Sequence, residues 1–197
     1  MVVSHVFKLT DAPGYLAHFP VLKGRNKVGR GQFSVVFEGT QANTVLKLTS
    51  DAVYVDFLRH KAGAPGLPEL VHDYGSMPSP EHQSVFLVEL TKLYPLHKWD
   101  HAELILERNA LANAVDYKLA LNELYCPMAP CQQMHALALL EVQSTGLFSP
   151  AASAALGAIA DYLDATDHDV LLDLANLTNY MTDGSRLIIT DPLVMVL

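Results

Sequence analysis

The sequence predicts an α+β protein in two parts, a small antiparallel sheet with one helix followed by a mainly helical part. Short apolar runs separated by turn-forming residues fill the first part, as is typical of strands. Helical spacing dominates the second part, so we expect the parts to cover 1–92 and 93–197. Half of the 197 residues are apolar, which is enough for a substantial hydrophobic core.

Three strands are predicted before the helix of the first part. Lys27–Gly31 and Ser34–Gly39 form a hairpin with glycine at its turn, and Thr44–Thr49 follows as the third strand. Val35 and Phe37 alternate with other side chains along the second strand, which suits a half-buried strand.

One helix and two more strands complete the first part. Asp51–Ala62 is predicted to be a helix with Ser50 or Asp51 as its cap, and the glycines and prolines after it end it sharply. Leu70–Tyr74 and Ser84–Leu90 are predicted to be strands, because each is an apolar run bounded by turn formers.

Four helices are predicted in the second part, at Ala102–Ala112, Val115–Tyr125, Gln132–Gln143 and Ala151–Leu163. Ser149 or Pro150 is expected to begin the last of them. The third is apolar nearly all round through Leu137, Leu139, Leu140 and Val142, which predicts burial of all four side chains.

The hairpin and the strand after it carry the first functional pattern. Gly29, Gly31 and Ser34 occupy the three small positions of a G-x-G-x-x-G loop, with serine in place of the third glycine. Glycines let a hairpin tip lie over phosphates without side chains in the way. Lys47, two residues after Val45, would offer a fixed positive charge to phosphate oxygens. The alternative is an ordinary glycine-containing hairpin with Lys47 as a solvated edge charge.

The last 30 residues carry the second pattern. Asp173 suits a base that orients and deprotonates an acceptor hydroxyl, and Asn179 and Asp191 suit Mg²⁺ ligands on the two sides of a hairpin. Asn179 falls one residue later than the motif prescribes, so Thr178 and Asn176 stay open as alternatives. A purely structural interpretation also stays open, in which Asp173 and Asn176 cap turns and Asp191 precedes a rigid proline.

These motifs together resemble the protein-kinase-like superfamily, and the compact form looks like the short kinase-like proteins of T7-type bacteriophages. The resemblance covers about Val21–Pro192 and depends on four short motifs. It implies a bilobed fold with a small antiparallel-sheet N-lobe and a mainly helical C-lobe. The C-lobe is expected to be truncated, because six residues follow Asp191 in the sequence. It further implies ATP and Mg²⁺ as cofactors and, for a phage protein, action on host proteins.

The resemblance also implies a role for each motif residue. The hairpin residues would cover the phosphates, Lys47 would bind the α- and β-phosphates, and Val45 would contact the nucleotide. The strand containing Glu89 and Leu90 would enter the hinge and face an adenine ring with its backbone. Asp173 would be the catalytic base, with Asn179 and Asp191 as the magnesium ligands.

Several positions depart from the family pattern. The helix glutamate that pairs with the lysine is missing, and the acids of the predicted helix are Asp51 and Asp56, of which Asp56 is expected to be the better placed. Leu171 and Leu172 stand where His-Arg precedes the catalytic Asp, and Asp191-Pro192-Leu193 replaces Asp-Phe-Gly. An unpaired lysine would be poorly positioned, and positioning is most of what phosphoryl transfer requires.

Three functions therefore stay open at the sequence level. The first is an active Mg-ATP phosphotransferase with a protein or a small-molecule acceptor. The second is a pseudokinase that binds a partner protein through its acidic surface and added helices. The third is a small-molecule kinase resembling antibiotic phosphotransferases, although the His that these usually place beside the catalytic Asp is not evident here.

The charge balance and the lengths of the apolar runs limit the classes of partner that we expect. The chain has 13 Lys and Arg against 21 Asp and Glu, a net charge of -8, and no basic run, so we expect no nucleic-acid partner. No apolar run reaches the length of a membrane span and the start does not read as a signal peptide, so we expect a cytoplasmic protein, in the host cytoplasm if it is phage-encoded. Oligomeric state stays open.

Two cysteines raise the question of a zinc site. Cys126, Cys131 and His135 give three candidate ligands at loose spacing, one fewer than a structural zinc site needs. A proline-punctuated turn between helices with free thiols is the preferred interpretation.

Overall fold

The computed structural model describes residues 7–61, 63–98, 100–125 and 131–195. It confirms the predicted fold class, an α+β protein with an antiparallel sheet and a mainly helical region. The chain divides into two compact units. The sheet unit contains the described residues up to Arg59 together with Glu69–Lys92, and the helical unit contains His60–Pro68 and the described residues from Leu93 onward.

The sheet unit is built on five antiparallel strands in the order β1-β2-β3-β5-β4. These strands are β1 Lys27–Arg30, β2 Ser34–Glu38, β3 Thr44–Thr49, β4 Leu70–Pro78 and β5 Ser84–Thr91. A short helix, α1 (Tyr15–His18), precedes them, and α2 (Ala52–Lys61) lies between β3 and β4. The predicted order of three strands, a helix and two strands is the order observed.

Strand β4 is longer than the predicted Leu70–Tyr74. Its pairing with β5 shifts between Asp73 and Ser76 and then continues to Pro78. Gly75 has a φ of +82° at this irregularity, a backbone conformation that favours glycine. The turn-forming residues that suggested an end to the strand therefore form a bulge and the strand's last pairs.

The two faces of the sheet pack against different segments. One face is covered by the chain before β1, through Phe7, Phe19 and Leu22, which pack with Phe37, Leu46, Leu48 and Leu87 of the strands. The other face is covered by α2, through Tyr54, Val55 and Leu58, which pack with Val88 and Leu90. Val45 is partly buried against this second cluster. The side chains of β3 therefore alternate between two separate cores.

The segment before β1 also contacts the tip of the β1–β2 hairpin. The Phe7 N–H donates to the Gln32 carbonyl at 2.8 Å, and the Arg30 guanidinium donates to the Phe7 carbonyl at 3.1 Å. The Phe7 side chain is fully buried. The segment 7–22 thus packs on one face of the sheet and restrains the tip of the hairpin through these hydrogen bonds, which the sequence analysis did not predict.

Three long helices form most of the helical unit: α3 (Ala102–Tyr125), α4 (Cys131–Ser144) and α5 (Pro150–Ala165). The predicted break between two helices at 112–115 is wrong, because α3 is continuous through Asn113 and Ala114. Neither residue is a strong helix breaker, and flanking helix formers carry the helix across. The predicted start of α5 is confirmed, since the Ser149 hydroxyl accepts a hydrogen bond from the Ala152 N–H and Pro150 occupies the first turn.

Helix α4 packs on both α3 and α5. Leu139 and Val142 are buried in this packing, as expected. The expectation of burial is wrong for Leu137 and Leu140, which are each 45% exposed. Helix α4 thus keeps an apolar solvent face in spite of its nearly continuous apolar sequence.

Short strands complete the helical unit. They are β6 Tyr94–Pro95, β7 Val170–Leu172, β8 Tyr180–Thr182, β9 Leu187–Ile189 and β10 Leu193–Met195. Strands β6, β8 and β9 form one antiparallel sheet, and β10 pairs with β7 in another. Strands β8 and β9 are the predicted hairpin in the last 30 residues. None of the described helices has both the length and the apolar character needed to cross a bilayer.

The turn between β8 and β9 is held by one carboxylate. Asp183 accepts hydrogen bonds from the N–H groups of Ser185 and Arg186 at 2.9 Å, and the Arg186 guanidinium forms an ion pair with it. Burial alone would raise the pKa of Asp183, but these hydrogen bonds outweigh it and lower the pKa to about 2. The hairpin therefore has a defined tip between the two segments that carry Asn179 and Asp191.

Candidate functional site

Lys47 lies in the middle of a row of residues that crosses four strands. Val36 of β2 and Val88 of β5 lie directly opposite it, and Gly29 of β1 lies opposite Val36. Opposed residues of antiparallel strands point to the same face. The Lys47 side chain therefore lies on the face of the sheet against which α2 packs. A Cβ at Gly29 would lie 3.5 Å from the Cβ of Val36, and because glycine has no side chain, no side-chain atom of residue 29 covers Val36 at this end of the row.

The tip of the glycine-rich hairpin is tightly closed. The Gly31 N–H donates to the Ser34 carbonyl at 2.9 Å. A Cβ at Gly31 would lie only 2.9 Å from the Ser34 hydroxyl, which is closer than real Cβ contacts allow. Ser34, the residue in place of the third glycine, is buried. The serine hydroxyl therefore lies beneath the tip, and a side chain at residue 31 would be disfavoured there.

The hairpin tip is also attached to the strand that carries the lysine. The Phe33 carbonyl accepts hydrogen bonds from the Thr49 hydroxyl and the Ser50 N–H, each at 3.0 Å. Ser34 lies opposite Thr49 in the β2–β3 register. These hydrogen bonds fix the position of the hairpin tip relative to β3 and therefore to Lys47, which a phosphate-binding hairpin requires.

An aromatic ring and a partly buried acid lie near Lys47. The Lys47 ammonium lies 3.5 Å from the centroid of the Tyr54 ring, within the range of a cation–π interaction. Asp51 caps α2 by accepting from the Tyr54 N–H at 2.9 Å. Burial raises the pKa of Asp51, while this N–H and the positive charge of Lys47 oppose the rise. The charge of Lys47 thus acts on Asp51, and the expectation that Asp56 is the better placed of the two acids stays a prediction.

Glu89 has a structural role on the other face of the sheet. Its buried carboxylate accepts from the N–H and hydroxyl of Thr40, each at 2.7 Å, from the Thr44 hydroxyl, and from the Tyr74 hydroxyl at 3.0 Å. Burial alone would raise the pKa of Glu89, but these hydrogen bonds outweigh it and lower the pKa. The carboxylate thereby holds the β2–β3 connection in place.

The predicted adenine contact of Glu89 and Leu90 stays a prediction. Both residues lie inside β5, which has β3 on one side and β4 on the other. Leu90 packs on the α2 face next to Val45, whereas the Glu89 side chain lies on the opposite face from Lys47. Val45, which is only partly buried, is therefore better placed than the Glu89 side chain to contact a base lying beside the lysine.

Three of the predicted site residues are brought together in the helical unit. Asp173 follows β7, and its N–H donates to the carbonyl of Pro192, next to Asp191, at 2.8 Å. The Asn179 side-chain amide donates to the main-chain carbonyl and to the carboxylate of Asp173, each at 2.9 Å. The Thr190 N–H in turn donates to the Asn179 carbonyl at 2.8 Å. Direct hydrogen bonds thus link the segments that carry Asp173, Asn179 and Asp191.

Asn176 and Thr178, the alternatives to Asn179, act mainly on their own loop. The Asn176 side-chain oxygen accepts from the Thr178 N–H at 3.2 Å and from its hydroxyl at 2.7 Å, which caps the 3-10 turn Leu177–Asn179. Asn176 also donates to Asp173 at 3.3 Å. Asn179 is buried, whereas Asn176 and Thr178 are exposed. Of the three, Asn179 is the residue that joins Asp173 to the strand segment leading to Asp191.

Tyr180 supports this loop from below. Its hydroxyl donates to the Leu174 carbonyl at 2.8 Å, and burial raises its pKa well above the ordinary range, so the hydroxyl stays a donor. The sequence analysis missed Tyr180 and Tyr54. Tyr180 lies in an apolar strand and Tyr54 in the first turn of a helix capped by an acid. Neither position marks a functional residue in the sequence, and only the contacts in the structure identify the two side chains.

The loop offers the oxygen ligands that Mg²⁺ prefers. Asp191 would contribute a carboxylate oxygen and Asn179 an amide oxygen, with the amide nitrogen of Asn179 already committed to Asp173. No group of three His, Cys, Asp or Glu side chains with metal-binding geometry exists among the described residues. A magnesium ion held by one or two protein ligands together with substrate phosphates needs no such cage. The donor set therefore fits magnesium.

The zinc alternative finds little support. Cys126 lies outside the described residues. Cys131 and His135 approach to 3.5 Å, and the Leu172 N–H donates to Nδ1 of His135 at 3.3 Å. That hydrogen bond makes Nδ1 the acceptor and leaves the proton of the neutral ring on Nε2, which faces the sulfur. The pair is better described as a weak hydrogen bond than as two metal ligands.

Comparisons with known proteins give limited likeness. No protein-family model and no curated protein matches the chain. Among solved structures, a thermostable mutant of aminoglycoside phosphotransferase APH(4)-Ia, in a ternary complex with AMP-PNP and hygromycin B, is 17% identical over 88% of this chain and 67% of that chain, with a TM-score of 0.35. Another structure of aminoglycoside phosphotransferase APH(4)-Ia is 15% identical over 92% of this chain and 70% of that chain, with a TM-score of 0.33. Likeness at this level assigns neither activity nor substrate to this chain.

Proposed function

We propose that the protein is an ATP- and Mg²⁺-dependent phosphotransferase of the protein-kinase-like kind. The observation that supports this most strongly is the hydrogen-bonded linkage that joins the predicted base Asp173 to the predicted ligand Asn179 and to Pro192, the residue after Asp191. A second, separate support is Lys47, which lies in one row with Gly29 on the α2 face of the sheet. The proposal requires that nucleotide binding depend on Lys47 and that turnover depend on the Asp173 loop.

The sheet unit would bind and orient the nucleotide. Gly29 and Gly31 would let phosphate oxygens approach the backbone of the hairpin, and Lys47 would give them a positive charge. Val45 and Leu90 would form the apolar surface for the base. Tyr54 would position the lysine through its ring, in place of the usual glutamate.

The helical unit would carry the chemistry. The acceptor hydroxyl oxygen attacks the γ-phosphorus, the bond from phosphorus to the β–γ bridging oxygen breaks, and the hydroxyl proton passes to the Asp173 carboxylate, giving ADP and a phosphorylated acceptor. Asn179 and Asp191 would hold the metal, which when bound neutralises charge on the phosphate oxygens. Asn179 would also keep Asp173 in place through its two hydrogen bonds.

The acceptor class is a further part of the proposal. We favour serine or threonine side chains of a protein in the cytoplasm, host proteins in the case of a phage protein, because the sequence motifs resemble that group. ATP hydrolysis, with water as acceptor, gives a readout that does not depend on knowing the acceptor.

The test compares ATP turnover and nucleotide binding in three proteins. Asp173→Asn keeps the size of the side chain but removes the base, so we expect turnover to fall at least a hundredfold while Mg-ATP still binds. Asp167→Asn makes the same change at an exposed position outside the loop and should leave both unchanged. Wild-type protein that is folded but neither binds nor hydrolyses ATP would contradict the proposal.

A binding module is the second candidate function. It is favoured by the absence of a glutamate from α2, since a glutamate on this helix aligns the lysine in active kinases. In that case a partner protein would be retained by a Lys47→Ala variant. If the Lys47→Ala variant loses both nucleotide binding and the partner protein, the partner's binding depends on nucleotide, as we expect of a substrate.

A further inference from the structure

Helix α3 carries a regular seam of exposed residues. Leu106, Ala110, Asn113, Tyr117, Ala120 and Leu124, here called the α3 seam, follow one another at alternating spacings of four and three residues. All six are exposed, and Leu106, Tyr117 and Leu124 have exposed fractions of 68%, 64% and 68%. This spacing keeps all six on one side of the helix, as in the a and d positions of a coiled coil.

The seam lies opposite the face that α3 uses within its own unit. Leu111 and Val115 are fully buried, and the Asn122 amide donates to the Met134 carbonyl of α4 at 3.2 Å. These positions fall on the other side of the helix from the seam. The packing of the helical unit therefore leaves the seam without an intramolecular partner among the described residues.

The composition of the seam suits a second helix. Leu106, Tyr117 and Leu124 are large knobs, and Ala110 and Ala120 between them leave holes that a neighbouring helix can fill. A single polar residue, Asn113, occupies one core position, which in coiled coils selects register at some expense of stability. The seam runs for about 27 Å along the helix, long enough for more than two heptads.

The charges beside the seam are negative. Asp116 and Glu123 flank one side, and Glu103 lies at its N-terminal end, all of them exposed. Of the two basic residues of α3, Lys118 forms an ion pair with Glu141 at 3.1 Å, and the Arg108 guanidinium is engaged by the side-chain oxygen of Asn109. A complementary helix would therefore carry Lys or Arg at the positions facing these acids.

We propose that the α3 seam is a docking site for an amphipathic helix of a partner protein, with an apolar stripe flanked by basic residues. A second copy of this chain is a poorer occupant, because antiparallel pairing of two seams would oppose Asp116 and Glu123 to the same acids, and the whole chain carries a net charge of -8. The site lies wholly on α3, so it is independent of the phosphotransferase proposal.

The test uses a synthetic helical peptide of three heptads with Leu at its core positions and Lys at the flanking positions. A scrambled peptide of the same composition has the same charge but no seam. We expect the full-length protein to bind the ordered peptide at least about tenfold more tightly than the scrambled one, by fluorescence anisotropy. Tyr117→Asp should weaken this binding about tenfold or more, because it places an unpaired charge in the core of the contact.

The control is Leu147→Asp, which makes the same kind of change at a residue that is 81% exposed and lies outside α3. It should leave peptide affinity unchanged, and circular dichroism should show both variants folded. Equal binding of the two peptides, or equal effects of the two substitutions, would overturn the proposal in favour of general charge attraction. A wild-type dimer in sedimentation that Tyr117→Asp dissociates would also overturn it, since the occupant would then be a second copy.

Discussion

The side-chain amide of Asn179 donates to both the main-chain carbonyl and the carboxylate of Asp173, at 2.9 Å each. Asn179 is buried and the Asp173 N–H also donates to Pro192, so the main chain at Asp173 is fixed, and its carboxylate is oriented by the amides of Asn179 and Asn176. Fixed orientation of such a group is a large part of what phosphoryl transfer requires.

Asn179→Ala should therefore impair both stability and activity. It removes both hydrogen bonds to Asp173 and should lower the free energy of unfolding by about 1–3 kcal/mol. It should also abolish ATP hydrolysis, since it removes one proposed metal ligand. Urea unfolding and turnover measure the two effects. Asn176→Ala is the matched control. It should lower the free energy of unfolding by about 1 kcal/mol through loss of a helix cap, and it should reduce turnover much less than Asn179→Ala does. A larger loss of turnover in Asn176→Ala would instead assign the metal to Asn176.

Acid should weaken the hairpin that separates Asn179 from Asp191. The pKa of Asp183 is about 2 in the folded protein and about 3.9 in unfolded chains, so its ionised form adds stability. That contribution is fully present above pH 4 and is lost as pH falls toward 2. Unfolding free energies measured across this window should fall less steeply in Asp183→Asn than in wild type. Parallel profiles would show that the Asp183 hydrogen bonds do not stabilise the fold.

The contact of Lys47 with Tyr54 predicts a role for the ring in nucleotide binding. Tyr54→Leu should weaken Mg-ATP affinity by about 0.5–2 kcal/mol, the usual strength of a cation–π contact, because the lysine loses its support. Tyr54→Phe keeps the ring and should retain most of the affinity. Titration calorimetry measures both variants, and equal losses would mean that the ring does not position Lys47.

Arg30 should control the mobility of the glycine-rich hairpin. Its guanidinium donates to the Phe7 carbonyl, while the Phe7 N–H donates to Gln32 at the tip. Arg30→Met should speed hydrogen exchange of the Gly31 amide several-fold and weaken Mg-ATP binding, with the melting temperature little changed. Lys27→Met, another exposed change on β1, is the control. Unchanged exchange in Arg30→Met would show that the contact with Phe7 does not restrain the tip.

The regular parts of the fold could be predicted from the sequence because their patterns are local. Strand β2 followed from alternation, β3 and β5 followed from short apolar runs between turn formers, and the start of α5 at Ser149 followed from capping. The end of β4 and the continuity of α3 could not, because tertiary pairing and flanking helix formers overrode the local signals. The segment 7–22 gave no periodic signal, and its place under the sheet depends on contacts with distant strands.

The same distinction applies to the candidate site. The hydrogen-bonded link between the segments that carry Asp173, Asn179 and Asp191 could be predicted, because a single short hairpin separates two of them. The role of Glu89 could not, since its partners Thr40 and Tyr74 come from other parts of the chain. The support of Lys47 by Tyr54 was also hidden, because the sequence pattern pointed to an acid.

Thermal unfolding with and without Mg-ATP tests the central claim, that the protein binds Mg-ATP and that Lys47 and Asp191 both contribute to the binding. At a nucleotide concentration of 100 times Kd, a ligand selective for the folded state adds about 2.7 kcal/mol of stability, which should raise the melting temperature of the wild type by several degrees. Lys47→Met and Asp191→Asn should each lose most of this shift, although they lie in different units. A full shift in either variant, or none in the folded wild type, would contradict the account.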